Sequence, residues 1–441
     1  MSGFNLTDSQ REAIESRGEA ILVSAGAGSG KTRVLVERLM ARITDKDEPK
    51  DVDSFLIITF TRAAAAELRD RIARRLGELC AENPADRRLR RQTALCARAQ
   101  IGTIHSFCTN ILRENAHLLG IAPDFRVAEE ERCLSLKRAA LTRVLDKAYE
   151  HIESDADFRA LADTVGAGRD DSRLEEVILD LYGKMSSHSY PEKWAEECMR
   201  TLELGEVRDA SETIWGRWLL DDARDEALGW ANRLEALIDE AALYADLTEK
   251  YVPSLTGTAE SLRRFAAAAE ESWDEALSCL PIEYPNLGRL VKPESPECKE
   301  RVQAQRKTCK SITDKLPERF TAPSETVLGD LRAAAGAARA LLRVTLDFSR
   351  AYDAEKRRLS LLDFSDLEHR AVRLLTDAET GKPTAAAREI SSRFTEIMVD
   401  EYQDVNAVQD AIFTAVSNAI LIIFVKFVCR SSGESASPVT M

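Results

Sequence analysis

The sequence predicts an α/β fold: a parallel sheet with flanking helices, interrupted by a large all-helical insertion. Three observations predict it. Short apolar runs at 19–24, 54–59 and 396–400 are continuous rather than alternating, as strands buried on both faces are. Ala/Arg/Leu-rich helical stretches follow the first two runs, which is the pattern of βαβ units. Between about 126 and 359 the chain is rich in Ala, Leu, Glu and Arg at helical spacing, with almost no strand-like run. The organisation expected is one α/β domain from 1–125 and 360–418, a helical inserted domain over 126–359, and a tail over 419–441.

Each element has a local cause. Leu6-Thr-Asp-Ser-Gln10 opens a helix, with Thr7 or Asp8 as its N-cap. The run ending at Ser24 meets Ala25-Gly-Ala-Gly-Ser-Gly-Lys-Thr32 and then the helical pattern Arg33–Met40. Glycines here let successive N–H groups curl towards phosphate oxygens, and the following helix adds the positive end of its dipole. Ala25 stands where the strict GxxxxGK[ST] pattern has Gly, while Gly26, Gly28 and Gly30 still supply the turn. Lys31 can reach β- and γ-phosphates, and the Thr32 hydroxyl can ligate Mg²⁺. A Gly-rich turn with an incidental Lys is the bland alternative, disfavoured by the strand before and the helix after. Within the helical region, Pro281-Ile-Glu-Tyr-Pro285 to Pro296 reads as a loop.

The run Glu396-Ile-Met-Val-Asp400 ends in Asp400-Glu-Tyr-Gln-Asp404. Asp400 can hold Mg²⁺ through water, and Glu401 can polarise an attacking water. Taken alone, an acidic strand end is more often solvated surface; paired with the loop at 25–32 it gains a function. Gln10 carries an amide suited to an adenine edge, although taken alone a solvated helix-face Gln explains it better.

Composition limits the alternatives. Lys+Arg number 61 against 75 Asp+Glu, a net charge of −14, so a wholly basic nucleic-acid wrapper is excluded while a local basic track is not. Such a track is a candidate between Arg62 and Arg98, where ten Arg face five acids, although a solvated helix face explains any one of them. The nine Cys form no CxxC pair, which argues against a zinc ribbon or disulfide framework and for reduced thiols of a cytoplasmic protein. No signal peptide is seen at the N-terminus, and the apolar run 419–428 is too short to span a bilayer.

Thr59-Phe-Thr-Arg-Ala-Ala-Ala-Ala-Glu67-Leu-Arg-Asp-Arg-Ile72 and Gly102-Thr-Ile-His-Ser-Phe-Cys108 add two more segments. Together with Thr7–Gln10, the loop at 25–32 and Asp400–Asp404, they resemble in order and spacing the superfamily 1 DNA helicases of the UvrD/Rep/RecB group. The resemblance is strongest to the AddA-like subunit of bacterial helicase–nucleases, whose chain re-enters its motor domain through a segment like Leu362-Asp-Phe-Ser-Asp-Leu-Glu368. It covers about 1–125 and 360–415. It implies a RecA-like P-loop NTPase domain using ATP and Mg²⁺ and an ATP-dependent 3′–5′ DNA helicase of double-strand-break repair. Single-stranded or duplex DNA and an AddB-like partner subunit would be its partners, with no membrane.

By the same resemblance Gln10 contacts adenine, and Ala25, Gly26, Ala27, Gly28, Ser29, Gly30, Lys31, Thr32 and Arg33 form the nucleotide site. Thr32 and Asp400 hold Mg²⁺, Glu401 is the base and Gln403 senses the γ-phosphate. Phe60, Thr61, Arg62, His105, Ser106 and Phe107 line a single-strand path, where rings stack on bases and hydroxyls and Arg bind phosphates. The group's next motif, its second motor domain with an arginine finger, and a nuclease domain are not visible. Ala419 onward does not look like the group, so a truncated or frameshifted frame near 416–420 is expected, with little turnover by this chain alone. Two other functions stay open: a non-motor ATP-gated module that binds nucleic acid or a partner, and a P-loop ATPase unrelated to DNA. The latter leaves the segments at 59–72 and 102–108 unexplained.

Overall fold

A computed structural model describes residues 6–17, 20–26, 30–165, 172–417 and 420–426. It divides into two compact units. The first comprises Met1–Lys147, Val177–Trp194 and Thr345–Met441, and the second Ala148–Glu176 and Ala195–Val344.

The first unit holds a five-stranded sheet built from β1 (Ala20–Ala25), β2 (Phe55–Ile58), β3 (Gln100–Gly102), β6 (Glu396–Val399) and β7 (Ile420–Lys426). The order is β1-β7-β6-β2-β3, and every pairing is parallel. Two short strands, β4 (Arg126–Val127) and β5 (Leu361–Leu362), pair parallel in a separate small sheet. β2 and β6 are buried at every position, which is why neither alternates in sequence. Helices α1 (Asp8–Glu15), α2 (Lys31–Ile43) and α3 (Arg62–Glu82) pack on one side of the sheet with Leu35, Leu39, Ile57, Leu68 and Ile72. The helices Ile104–Glu114, Phe364–Leu375 and Ala407–Val416 share a second core with Leu56, Ile397 and Val399.

In a parallel sheet all strand carboxyl ends emerge on one edge, and that edge is where open α/β sheets bind ligands. Gly26, Thr59–Arg62, Thr103 and Asp400–Glu401 all follow strand ends there. The tail expected from 419 needs correction: backbone pairing places Ile420–Lys426 between β1 and β6, so the sheet extends past 418. Residues 427–441 lie outside the described residues.

The second unit is helical, and no strand occurs among its described residues. Its core lies among helices Ile214–Ala241, Val252–Glu271 and Pro296–Thr313, filled by Leu220, Trp230, Leu234, Leu255, Phe265 and Val302. The segment from 280 to 295 is non-helical, as its prolines require.

Candidate nucleotide and nucleic-acid site

The site starts with a helix cap. Thr7 Oγ1 accepts from the Gln10 amide at 3.3 Å, and Gln10 Oε1 accepts from the Thr7 amide at 3.0 Å. This reciprocal capping box fixes the Gln10 side chain at the start of α1. Its other end, Nε2, comes within 3.6 Å of where a β-carbon at Gly30 would stand. Gly30 has φ +85°, a left-handed conformation that glycine adopts without steric cost, and it starts α2. Lys31 and Thr32 occupy the first turn of α2, half-buried, with Arg33 exposed beside them. Ala27, Gly28 and Ser29 lie outside the described residues.

The acids arrive from β6. The Asp400 amide donates to the Ile58 carbonyl at 2.9 Å, which continues the β2–β6 ladder past the strand end. Glu401 then turns the chain with φ 55°, a strained value for a residue with a side chain. Lys31 Nζ lies 3.8 Å from Glu401 Oε1. Gln403 Nε2 donates to Glu401 Oε2 at 2.5 Å and to Asp404 Oδ2 at 3.1 Å. Burial, and then the Glu401 carboxylate, push the Asp400 carboxyl above its ordinary pKa; the Glu401 amide and the Lys31 charge oppose them. Residues nearly four hundred apart in sequence thus lie side by side. A lysine, a hydroxyl and two carboxylates beside a helix N-terminus are groups that could hold a magnesium-bound triphosphate.

Sequence reasoning missed the support behind these groups. Arg38 on α2 donates to both oxygens of Glu396, at 3.0 and 3.2 Å, and Arg42 Nε donates to Oε1 at 2.5 Å. The same guanidiniums reach the carbonyls of Ala13 at 2.7 Å and Ser16 at 2.6 Å. One buried cluster therefore ties the helix bearing Gln10, the helix bearing Lys31 and the strand leading to Asp400. Neither a motif nor a period marks such a pairing in sequence.

The second group of residues lies one and two strands away. Phe60 is 63 % exposed on the loop after β2. Thr61 caps α3 by accepting from the Ala64 amide at 3.0 Å. Arg62, His105 and Ser106 line a cavity of about 400 Å³. Thr103 caps helix Ile104–Glu114, and Ser106 Oγ donates to the Thr103 carbonyl at 2.6 Å. His105 Nε2 lies 3.1 Å from Glu368 Oε1, with its ring 4.6 Å from that of Phe364. Burial raises the Glu368 pKa, but hydrogen bonds from His105 and Gln409 outweigh it, and the net direction is down. Nothing in the sequence singles out Glu368 for this contact.

Phe107 is a correction. Expected on the single-strand path, it is 2 % exposed and packs against the Phe394 ring with centroids 6.2 Å apart. It lies on the same inward face of its helix as Ile104, Cys108 and Ile111, so apolar packing claims it. The arginines of the basic track are mostly exposed, and several have partners within the protein. Arg69 and Arg88 donate to backbone carbonyls, and Arg71, Arg75 and Arg91 pair with acids.

Residues 6–425 match the model of the UvrD/REP helicase N-terminal domain. The chain belongs to that family. Relatives include an ATP-dependent helicase/nuclease subunit of Acetivibrio thermocellus, 36 % identical over 420 residues, covering 93 % of this chain and 33 % of that protein. The like-named protein from Lachnoclostridium phytofermentans is 36 % identical over 425 residues, 95 % of this chain and 31 % of its own length. That of Clostridioides difficile is 32 % identical over 430 residues, 95 % and 34 % respectively. The chain thus spans about a third of the length of the curated relatives it matches. The UvrD/REP match runs through most of β7, in accord with that strand's place in the sheet. No helix among the described residues is long and apolar enough to cross a membrane.

Proposed function

We propose that this chain is the N-terminal ATP-binding and single-strand-DNA-binding portion of an ATP-dependent 3′–5′ DNA helicase. It would serve double-strand-break repair together with an AddB-like partner subunit, with 126–359 as a helical domain inserted into the motor domain. The observation that carries the proposal is the approach of Lys31 Nζ to Glu401 Oε1 at 3.8 Å, which supports a single cleft for a nucleotide. Bound there, ATP with Mg²⁺ supplies the phosphoanhydride whose cleavage drives translocation. Gln10 orients the base, the 25–32 loop and Lys31 cradle the phosphates, and Thr32 and Asp400 hold the metal. Glu401 accepts the proton of the attacking water, and Gln403, hydrogen-bonded to Glu401, carries the state of that acid onward. Phe60, Thr61, Arg62, His105 and Ser106 take the strand.

Titration with a fluorescent ATP analogue and Mg²⁺ tests this. The 441-residue chain is expected to bind it, and Lys31→Ala to weaken binding about 10- to 100-fold, the range for one charged hydrogen bond. Unchanged binding by Lys31→Ala overturns the proposal. Turnover is expected to stay slow, because the family resemblance assigns the arginine finger, worth about 10³–10⁵ in rate, to a second domain. Robust DNA-stimulated hydrolysis by this chain contradicts that part.

A further inference from the structure

A cavity of about 620 Å³ in the first unit is lined by none of the residues of the two groups above. Six cationic side chains line it: Arg350, Lys356, Arg357, Arg358, Arg370 and Arg373. Three carboxylates, Glu192, Asp353 and Asp366, share that lining, so cations are in excess. Arg357, Arg370 and Arg373 also form part of the wall of a neighbouring cavity of about 370 Å³. Hydroxyls of Ser186, Ser349 and Ser365 complete a donor-rich surface.

Each of these cations has an acid partner, but the partners are shared or exposed: Arg358 pairs at 3.3 Å with Glu355, which Arg143 also engages at 2.9 Å. Asp353 serves two guanidiniums, Arg370 at 2.9 Å and Arg357 at 2.5 Å. Lys356 is 2 % exposed and is held by Asp363 and Asp366, with Asp363 at 2.9 Å. Arg370 is 8 % exposed, and its Nε is buried with no hydrogen-bond partner. Such an orphan donor is rare in a folded protein, and it marks a site short of acceptors. Arg350 and Arg373 stay 58 % and 46 % exposed, in pairs of 3.6 and 3.5 Å that contribute little on a surface. Guanidiniums in this density, joined by hydroxyls, match phosphate oxygens, which they can bind two at a time.

The location says which phosphates. The lining residues Ser365, Asp366, Arg370 and Arg373 lie on helix Phe364–Leu375, whose Phe364 and Leu367 line the cavity of Arg62 and His105. We infer that this basic cleft is a second contact for the sugar–phosphate backbone of the same nucleic-acid strand, made without base recognition. The inference rests on the proposed DNA binding and extends it to the far side of one helix.

Anisotropy of a labelled single strand, measured across a salt series, tests it on the 441-residue chain. Arg350→Gln with Arg373→Gln is expected to lower the slope of log affinity against log salt by about 1.4, two contacts at about 0.7 each. Arg263→Gln with Arg264→Gln, the same charge change on exposed ion pairs of the second unit, should leave the slope unchanged. Equal slopes for the cleft variant and wild type overturn the inference, as does an equal fall in both double variants. Inorganic tripolyphosphate provides a further arm. If it binds wild type but not the cleft variant, while the strand's slope is unmoved, the cleft is a small-anion site and the inference fails. Arg62→Gln separates the two levels. Loss of affinity there with none in the cleft variant sinks this inference alone, and a wild-type chain that binds no strand sinks the proposed function with it.

Discussion

The two ends of strand β6 carry the same chemistry in opposite states. At the amino end Glu396 is 1 % exposed and gripped by Arg38 and Arg42. At the carboxyl end Glu401 is 37 % exposed and faces one lysine at 3.8 Å. The first carboxylate has its hydrogen bonds made and cannot move without unfolding its surroundings. The second lies on a strained turn, partly exposed, with Gln403 as its hydrogen-bond donor and Lys31 at 3.8 Å. Rigidity at one end holds the reacting groups at the other, because the clamped strand, α1 and α2 deliver Asp400, Gln10 and Lys31 to the same edge. The contrast separates residues that build the site from residues that act in it.

The sharpest test removes the clamp. Glu396→Ala leaves Arg38 and Arg42 buried without their counter-charge, a change that costs about 3–5 kcal/mol. Urea unfolding should show a lower midpoint with an unchanged m-value. Lys31→Ala, by contrast, breaks a 3.8 Å pair with a partly solvated partner and should lower stability by less than Glu396→Ala does. Comparable losses from both variants would erase the distinction between the two ends.

The same contrast recurs in two phenylalanines that sequence treats alike. Phe60 is exposed on a loop, whereas Phe107 is sealed in the core against Phe394. Phe60→Ala should weaken single-strand binding by about 1–3 kcal/mol, the value of one stacked base, and leave stability nearly unchanged. Phe107→Ala should cost about 3–5 kcal/mol of stability. Single-strand affinity at a temperature where both variants are folded decides the matter. If Phe107→Ala loses affinity as strongly as Phe60→Ala, its ring belongs to the path after all.

These pairs also mark how far the sequence could be read. The loop Ala25–Thr32, the Thr7–Gln10 cap and the strands ending at 58 and 399 are written in contiguous residues whose periods and turn chemistry are local. The partnership of Lys31 with Glu401 was legible as well, because each half carries its own chemical signature. Arg38, Arg42 and Glu396 carry none. An Arg on an Arg-rich helix and a Glu at the head of an apolar strand become a buried cluster only when the fold closes a gap of 358 residues. His105 with Glu368 and Gln409 is hidden for the same reason. The basic stretch from 62 to 98 is mostly exposed, with Arg69 and Arg88 on backbone carbonyls and Arg91 on an acid, much as a solvated helix face would be. Strand β7 was legible as a strand and misplaced in the domain plan, since register with β1 and β6 is a property of the sheet.

The smallest effect concerns Asp400, and its sign is what matters. Burial and Glu401 raise its folded-state pKa above the unfolded value near 3.9. The folded protein therefore binds this proton more tightly than the unfolded chain. Stability falls as pH rises from about 3.9 through the folded pKa, and the cost persists at neutral pH. Asp400→Asn removes it. The variant should be more stable than wild type at pH 7, and the gap should close as pH falls towards 4. Magnesium-dependent nucleotide binding should weaken in the same variant, since a neutral amide is a poorer ligand for a hard cation than a carboxylate. A variant less stable than wild type at pH 7 would contradict the sign drawn from the burial of Asp400 and its neighbour Glu401.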